Sequence, residues 1–199
     1  MTAGSELEPE HWTPDRKALW HRIEAHSFEP DTRLPFTARL ARDHSWHLDE
    51  ARAAVDAYRR FCFLACVSST PVTPSEAVDE VWHLHLTYSR DYWDVWCGQV
   101  LRTPLHHDPT PGGPEAQMRY RLQYAQTLAL HERFFGAPDE HLWPGTVERF
   151  GPTPRYTVAD RERVFLVPRP RVWLRLFRRG WPCRLIRWTG SRARFSRCT

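Results

Sequence analysis

Thr73-Pro74-Ser75-Glu76-Ala77-Val78-Asp79-Glu80-Val81-Trp82-His83-Leu84-His85-Leu86-Thr87 opens with the form of a helix start. Its first four residues read as a capping box with proline at the first helical position. The threonine hydroxyl and the glutamate carboxylate can each satisfy a backbone N–H that the first turn leaves unpaired. Val78, Val81, Trp82 and His85 then recur at steps of three and four, which is one helical face. Extended through Tyr92, Trp93 and Trp96, this face predicts a helix to about Val100, with a break near Ser89.

The same signals recur on both sides. Upstream, Thr13-Pro14 reads as a cap and first residue for a helix carrying Leu19, Trp20 and Ile23, ended by Glu29-Pro30-Asp31. A short helix covers Pro35 to Arg42, with Phe36 and Leu40 on one side. Ser45 is placed to cap a helix from about Trp46 to Val67, with Leu48, Ala51, Val55, Tyr58, Cys62 and Ala65 on one face. From Phe61 to Val67 the chain is apolar all round, which predicts burial on every side. Downstream, Pro104 to Pro114 is a loop rich in Pro, Gly and His. A helix follows from Glu115 to Phe135, with Met118, Leu122, Ala125 and Leu128 aligned, stopped by Gly136 and Pro138. Val164-Phe165-Leu166-Val167 suggests a short strand.

The expected fold is therefore all-α: a compact bundle of four or five helices with a short irregular or β-containing C-terminal extension. An N-terminal helix falls within residues 1–30, a helical core domain spans 31–154, and a basic extension spans 155–199. At 199 residues, 41% hydrophobic and 26% charged, the chain can build a core. No apolar run is long enough for a membrane span. The polar, acidic start gives no reason to expect a secretory signal, and five irregularly spaced cysteines form neither a disulfide framework nor a paired zinc motif. A soluble, cytoplasmic protein is the expectation.

The formal charge of +4 conceals an asymmetry. From Arg163 onward there are 11 arginines and no acidic residue, which leaves −7 on residues 1–162. Arg171, Arg175, Arg178 and Arg179 share one side of a short amphipathic segment, with Val172, Trp173, Leu174, Leu176 and Phe177 on the other. Such a segment can dock on the acidic body, lie on an anionic membrane surface, or contact nucleic acid.

Chemistry concentrates on Asp79 and His83, one helical turn apart on the capped helix. His106-His107-Asp108 in the following loop can close over them. Asp79, His83 and His107, with His106 as the alternative, would suit zinc or another first-row divalent metal. A water in the remaining position would make such a site hydrolytic, with Glu76 or Glu80 as candidate base. The plain alternative is an ordinary ion pair. His85 is a different case, because two residues along a helix turn a side chain through about 200°. It belongs to the apolar face, bonded to a carbonyl or a tyrosine.

Val78 to Trp93, with its Asp79-x-x-Trp82-His83-x-His85 pattern, and Leu105-His106-His107-Asp108-Pro109-Thr110-Pro111-Gly112-Gly113-Pro114 resemble a known family. They are similar to bacterial relatives of the glycine-rich-domain-containing-protein-like family, a domain of unknown function shared with plants. The resemblance runs from about Phe36 to Phe150. It implies a helical domain with a shared polar site that includes Trp82, His85 and Asp108, and it brings no established reaction. Plant relatives are linked with signalling and with RNA-binding segments. This chain departs from them, having only 9 glycines and no glycine-rich tail.

Two functions follow as expectations. One is a binding or scaffold module whose Asp/His cluster recognises a ligand or protein partner. The other is a metal-dependent enzyme acting through Asp79, His83 and His107. The first is favoured, because no nucleophile, base and oxyanion donor can be assembled from the sequence.

Overall fold

The computed structural model describes residues 11–29, 33–108 and 112–151. They form helices α1 (Pro14–Ala25), α2 (Phe36–His44), α3 (Leu48–Val67) and α4 (Glu76–Thr87), then a π-helix, π1 (Asp91–Leu101), and helices α5 (Pro114–Phe135) and α6 (Thr146–Arg149). Among the described residues the fold is all-α. The expected strand at Val164–Val167, the amphipathic segment at Arg171–Arg179 and the whole 155–199 extension lie outside them.

α3 is the central post, packed against α1, α2, α4, α5 and π1. Its sequence explains the position. Ala51, Ala54, Val55, Ala57, Tyr58, Phe61, Cys62, Phe63 and Leu64 are all buried, so from Phe61 to Leu64 the helix is covered on every side. Ala65, Cys66 and Val67, in the last turn, are only partly covered. Each fully buried large side chain contributes about 1.5–3 kcal/mol by leaving water. Around α3 sit two aromatic groups. One joins Trp12 and Trp20 to Phe63, Phe134 and Phe135. The other joins Phe28 and Phe36 to Tyr58, His85 and Trp96. α1 therefore shares the core of the rest of the bundle.

Several helix ends differ from expectation for local reasons. Thr13 caps α1 with Pro14 following, as its sequence suggests. The helix stops at Ala25, however, and His26 already has extended backbone. Ser45 is not the cap of α3. It terminates α2 in the left-handed conformation at φ 56°, and His47 precedes α3. Leu48, expected on the buried face, stands exposed at that end.

The Thr73–Glu76 capping box does not form. Ser75 caps α4 by accepting from the Val78 N–H at 3.3 Å. Thr73 is committed elsewhere: its N–H donates to Thr127 Oγ1 and its hydroxyl to Gln123 Oε1, both on α5. The cap moves two residues on because the first hydroxyl is occupied by a tertiary bond.

The break expected near Ser89 divides the stretch up to Val100 into two helices. α4 ends at Thr87, and π1 begins at Asp91. Along π1 the buried residues are Tyr92, Trp96, Cys97, Val100 and Leu101. Steps of four, one, three and one keep these residues on a narrower face with i→i+5 bonding, at about 4.4 residues per turn, than in an α-helix. Trp93, assigned to the apolar face at α-helical spacing, is accordingly 42% exposed.

α5 is turned relative to its aliphatic stripe. Its buried residues are Ala116, Tyr124, Thr127, His131 and Phe134, while Met118, Leu122 and Ala125 are exposed and Leu128 is half-buried. The buried polar groups on α5 have partners that fix its rotation. Tyr124 donates to the Pro144 carbonyl at 2.7 Å, and His131 Nδ1–H to the Gly136 carbonyl at 3.1 Å. Among the described residues no helix is long and apolar enough to cross a membrane.

Candidate functional site

Asp79 and His83 lie one turn apart on α4, beside the strip that Val78, Val81 and Trp82 bury. The loop after π1 returns His107 to the same place. His107 Nε2–H donates to Asp79 Oδ1 at 2.9 Å. His83 Nδ1 stands 3.9 Å from the other oxygen, Oδ2. The two imidazoles lie 4.6 Å apart. One carboxylate thus presents a separate oxygen to each of two rings.

A chain of two hydrogen bonds through three residues sets the loop. Trp82 Nε1–H donates to the Tyr92 hydroxyl at 2.8 Å, and that hydroxyl donates to the Leu105 carbonyl. Burial pushes the Tyr92 phenol well up from its ordinary range, so it remains an O–H donor. Leu105 is held two residues before His107, whose ring stands edge-on to Trp82 at 4.5 Å. Trp82 therefore supports the loop twice, through its N–H and through its ring.

Asp79 and His107 line a cleft of about 820 Å³. Trp82, His106 and Asp108 line it as well, so four of the residues singled out around Asp79 reach one cavity with it. α5 and α6 complete the lining through Gln117, Tyr120, Gln123 and Arg149. Arg149 was not picked out by its sequence context. Its guanidinium stacks on Tyr124 at 4.3 Å and donates to the Pro74 carbonyl. Burial lowers its pKa, with Tyr124, Glu76 and Asp79 acting in the opposite direction. The cleft lining thus includes an acid, an imidazole and a guanidinium.

The remaining residues fall elsewhere. Glu80 is turned toward α2, 3.6 Å from His44 Nε2. Glu76 interacts with Arg149 and is not a cleft-lining residue. Neither is placed by a hydrogen bond to Asp79, His83 or His107. Arg171, Arg175, Arg178 and Arg179 lie outside the described residues.

His85 points away from the cleft and is 1% exposed, whereas His83 is 51% exposed. Its Nδ1 meets the Tyr58 hydroxyl at 3.0 Å, the tyrosine partner its apolar setting called for. Its Nε2 meets Asp91 Oδ2 at 2.9 Å, and His26 Nε2 reaches the same oxygen at 3.2 Å. Burial lowers the pKa of both histidines. Burial acts to raise that of Asp91, but hydrogen bonds from His85 and His26 outweigh it and leave the carboxylate below its usual range. Two of these four groups, Tyr58 and His85, were already placed on apolar helix faces by the sequence. The missed pair, His26 and Asp91, was detectable only by asking which groups satisfy a histidine on an apolar face.

Compared with protein-family models, curated proteins and solved structures, the chain has no match.

Proposed function

We propose that the protein is a helical binding domain whose cleft receives a small polar ligand at Asp79 and His107. The observation that carries this reading is their pairing at 2.9 Å on the wall of a cavity of about 820 Å³. A cavity of that size suits a small molecule or a few residues of a peptide. Arg149 in the same lining favours a ligand with an acidic group, since a guanidinium recognises carboxylate or phosphate through paired N–H donors. The Asp-x-x-Trp-His-x-His resemblance, with its implied polar site, points the same way. A thermal-shift screen of small carboxylates, phosphates and short acidic peptides tests the proposal. Stabilising compounds should lose their effect in Asp79→Asn and in Arg149→Gln. A hit that is indifferent to both substitutions, or no hit among these classes, would remove it.

A second reading rests on the ligand geometry. One oxygen or nitrogen from each of Asp79, His83 and His107 lies within 4.8 Å of the other two. A divalent metal such as zinc held there would face the cleft, with room for water, which is the arrangement for metal-assisted hydrolysis. Stoichiometric metal in purified protein, lost in His83→Ala and in His107→Ala, would favour it. Cytoplasmic placement belongs to the same proposal, since Cys62, Cys66 and Cys97 are free thiols of the kind a reducing compartment preserves.

A further inference from the structure

We infer that His26, His85 and Asp91 form a separate site for a first-row divalent cation, on the side of α4 opposite the cleft. The three donors come from three places in the fold: the turn after α1, the last turn of α4 and the first residue of π1. One ligating atom from each lies within 4.8 Å of the others. Asp91 Oδ2 stands 2.9 Å and 3.2 Å from the two Nε2 atoms. Donors bound to one such ion at about 2.0–2.2 Å sit roughly 3–3.5 Å apart. The two separations from Asp91 already match, and the ligating nitrogens of His26 and His85 lie within 4.8 Å of each other. Two imidazoles and one carboxylate are also the donor set that zinc, iron and cobalt take readily.

The surrounding groups suit a bound cation. A neutral histidine that coordinates through Nε2 must carry its proton on Nδ1. In His85 that proton would meet the Tyr58 hydroxyl, 3.0 Å away, which can accept as well as donate. No proton leaves the ring system: it moves from Nε2 to Nδ1, and the cation takes the freed lone pair. The Tyr58 proton has the Cys62 sulfur as an alternative acceptor. A histidine ligand held by an outer partner in this way is the usual arrangement at metal sites. The His26 ring is fixed between Phe28 and Trp96, at 4.8 Å and 5.0 Å. π-helical turns are rare and recur at functional sites, and this one begins on the carboxylate ligand.

Arg59 is a positive charge that acts on His26. Its Nη1 donates to the carbonyls of Ile23 and His26, both at 2.8 Å, and Asp56 stands 3.6 Å from its Nε. Those contacts hold the guanidinium on the backbone and leave the imidazole nitrogens facing Asp91. His85 is fully covered and His26 nearly so, while Asp91 is about one-third exposed, at 35%. An ion would enter past Asp91 and then clip the end of α1 to α4 and π1. Its role is structural, and it stands independently of what the cleft binds.

Cobalt(II) titration of the chelator-treated full chain tests this, read by visible absorption and by thermal midpoint. The wild type should take up cobalt with tetrahedral-type absorption. The midpoint should rise by about 5–10 °C at a hundredfold excess over the dissociation constant. The His83→Ala/His107→Ala double variant, altered only on the cleft side, should keep both responses. Asp91→Asn, whose amide oxygen can still accept hydrogen bonds, should lose both. Tyr58→Phe should bind about 10–100-fold more weakly. Absence of cobalt uptake by the wild type overturns the proposal. So does uptake that vanishes in the double variant, or uptake that persists unchanged in Asp91→Asn. If Asp91→Asn fails to fold, the Tyr58→Phe affinity decides, and an unchanged value counts against the site.

Discussion

α4 carries two histidines two residues apart, and each meets a second histidine and an aspartate. His83 stands exposed beside Asp79 and His107, which line an open cleft. His85, with Asp91 and His26, faces the core. The chemistry is the same, two imidazoles and one carboxylate, but the solvent is not. A buried histidine needs protein partners, and Tyr58 and Asp91 supply them to the two ring nitrogens of His85, with His26 meeting the same Asp91 oxygen. At the cleft water can stand in, so His83 tolerates a 3.9 Å separation from its carboxylate. A buried network holds helices together, whereas an open one leaves its groups free to meet a ligand.

The largest expected effect lies in the buried cluster. Asp91→Ala leaves two imidazole N–H groups without an acceptor and should cost about 2–4 kcal/mol of unfolding free energy. Asp79→Ala should cost less than about 1 kcal/mol, because water reaches the groups it leaves. Urea denaturation of the two variants checks the contrast. Equal losses would show that the two clusters are not structurally distinct.

Tyr92→Phe comes next. It removes the hydroxyl between the Trp82 N–H and the Leu105 carbonyl, both in covered surroundings, and should cost about 1–3 kcal/mol. Amide hydrogen exchange should rise in residues 105–108 more than in α3. Exchange that rises equally in both would mean that Tyr92 supports the core at large and not the loop that delivers His107.

Much of this was legible in the residues. Phe36 with Leu40, and the Ala51–Val55–Tyr58–Cys62 series, gave usable helix faces because local periodicity and tertiary burial agree there. They disagree on α5, where Tyr124 and His131 have specific partners and outbid the Met118–Leu122 stripe for the core side. Thr73 shows the same limit at a helix end: a residue suited to capping was taken by Gln123 and Thr127. Of the cleft, Asp79 and His83 are one turn apart by sequence alone, but Arg149 arrives from 70 residues further on, as 149 less 79. Of the buried cluster, His85 was legible as a core histidine. Asp91 was not, because π1 changes the period just where it starts, and His26 was not, because it follows the end of a helix and belongs to no face.

A smaller effect separates buried histidines from exposed ones by pH. His131 is fully buried, and its Nε2 has no hydrogen-bond partner. Burial is the main reason its pKa lies below the ordinary 6.5, helped by Arg60 and opposed by the Gly136 carbonyl. The folded form therefore resists a proton that the unfolded chain accepts. Stability is complete above about pH 6.5 and falls as pH drops below it, because the unfolded state then binds more protons. His26 and His85 act in the same direction. Urea midpoints between pH 7.5 and 5.5 should fall less in His131→Gln than in the wild type. Parallel curves would show that His131 contributes nothing to the acid limb.

The smallest effect on stability is expected at His83. Its ring is half exposed, and 3.9 Å from Asp79 is beyond a hydrogen bond. His83→Ala should therefore change unfolding free energy by less than about 0.5 kcal/mol. That near-silence sharpens the contrast between the two faces of α4. A side chain that does little for the fold, placed beside a carboxylate and a second imidazole at a cleft, can be judged by ligand or metal binding alone. The measurement is paired: urea denaturation for stability, and zinc content with and without added metal for binding. Unchanged stability with lost zinc would place the metal at Asp79, His83 and His107. Unchanged stability with unchanged zinc content would leave the cleft to organic ligands. A large loss of stability would break the comparison at its base, because the open cluster would then be holding the bundle together as the buried one does.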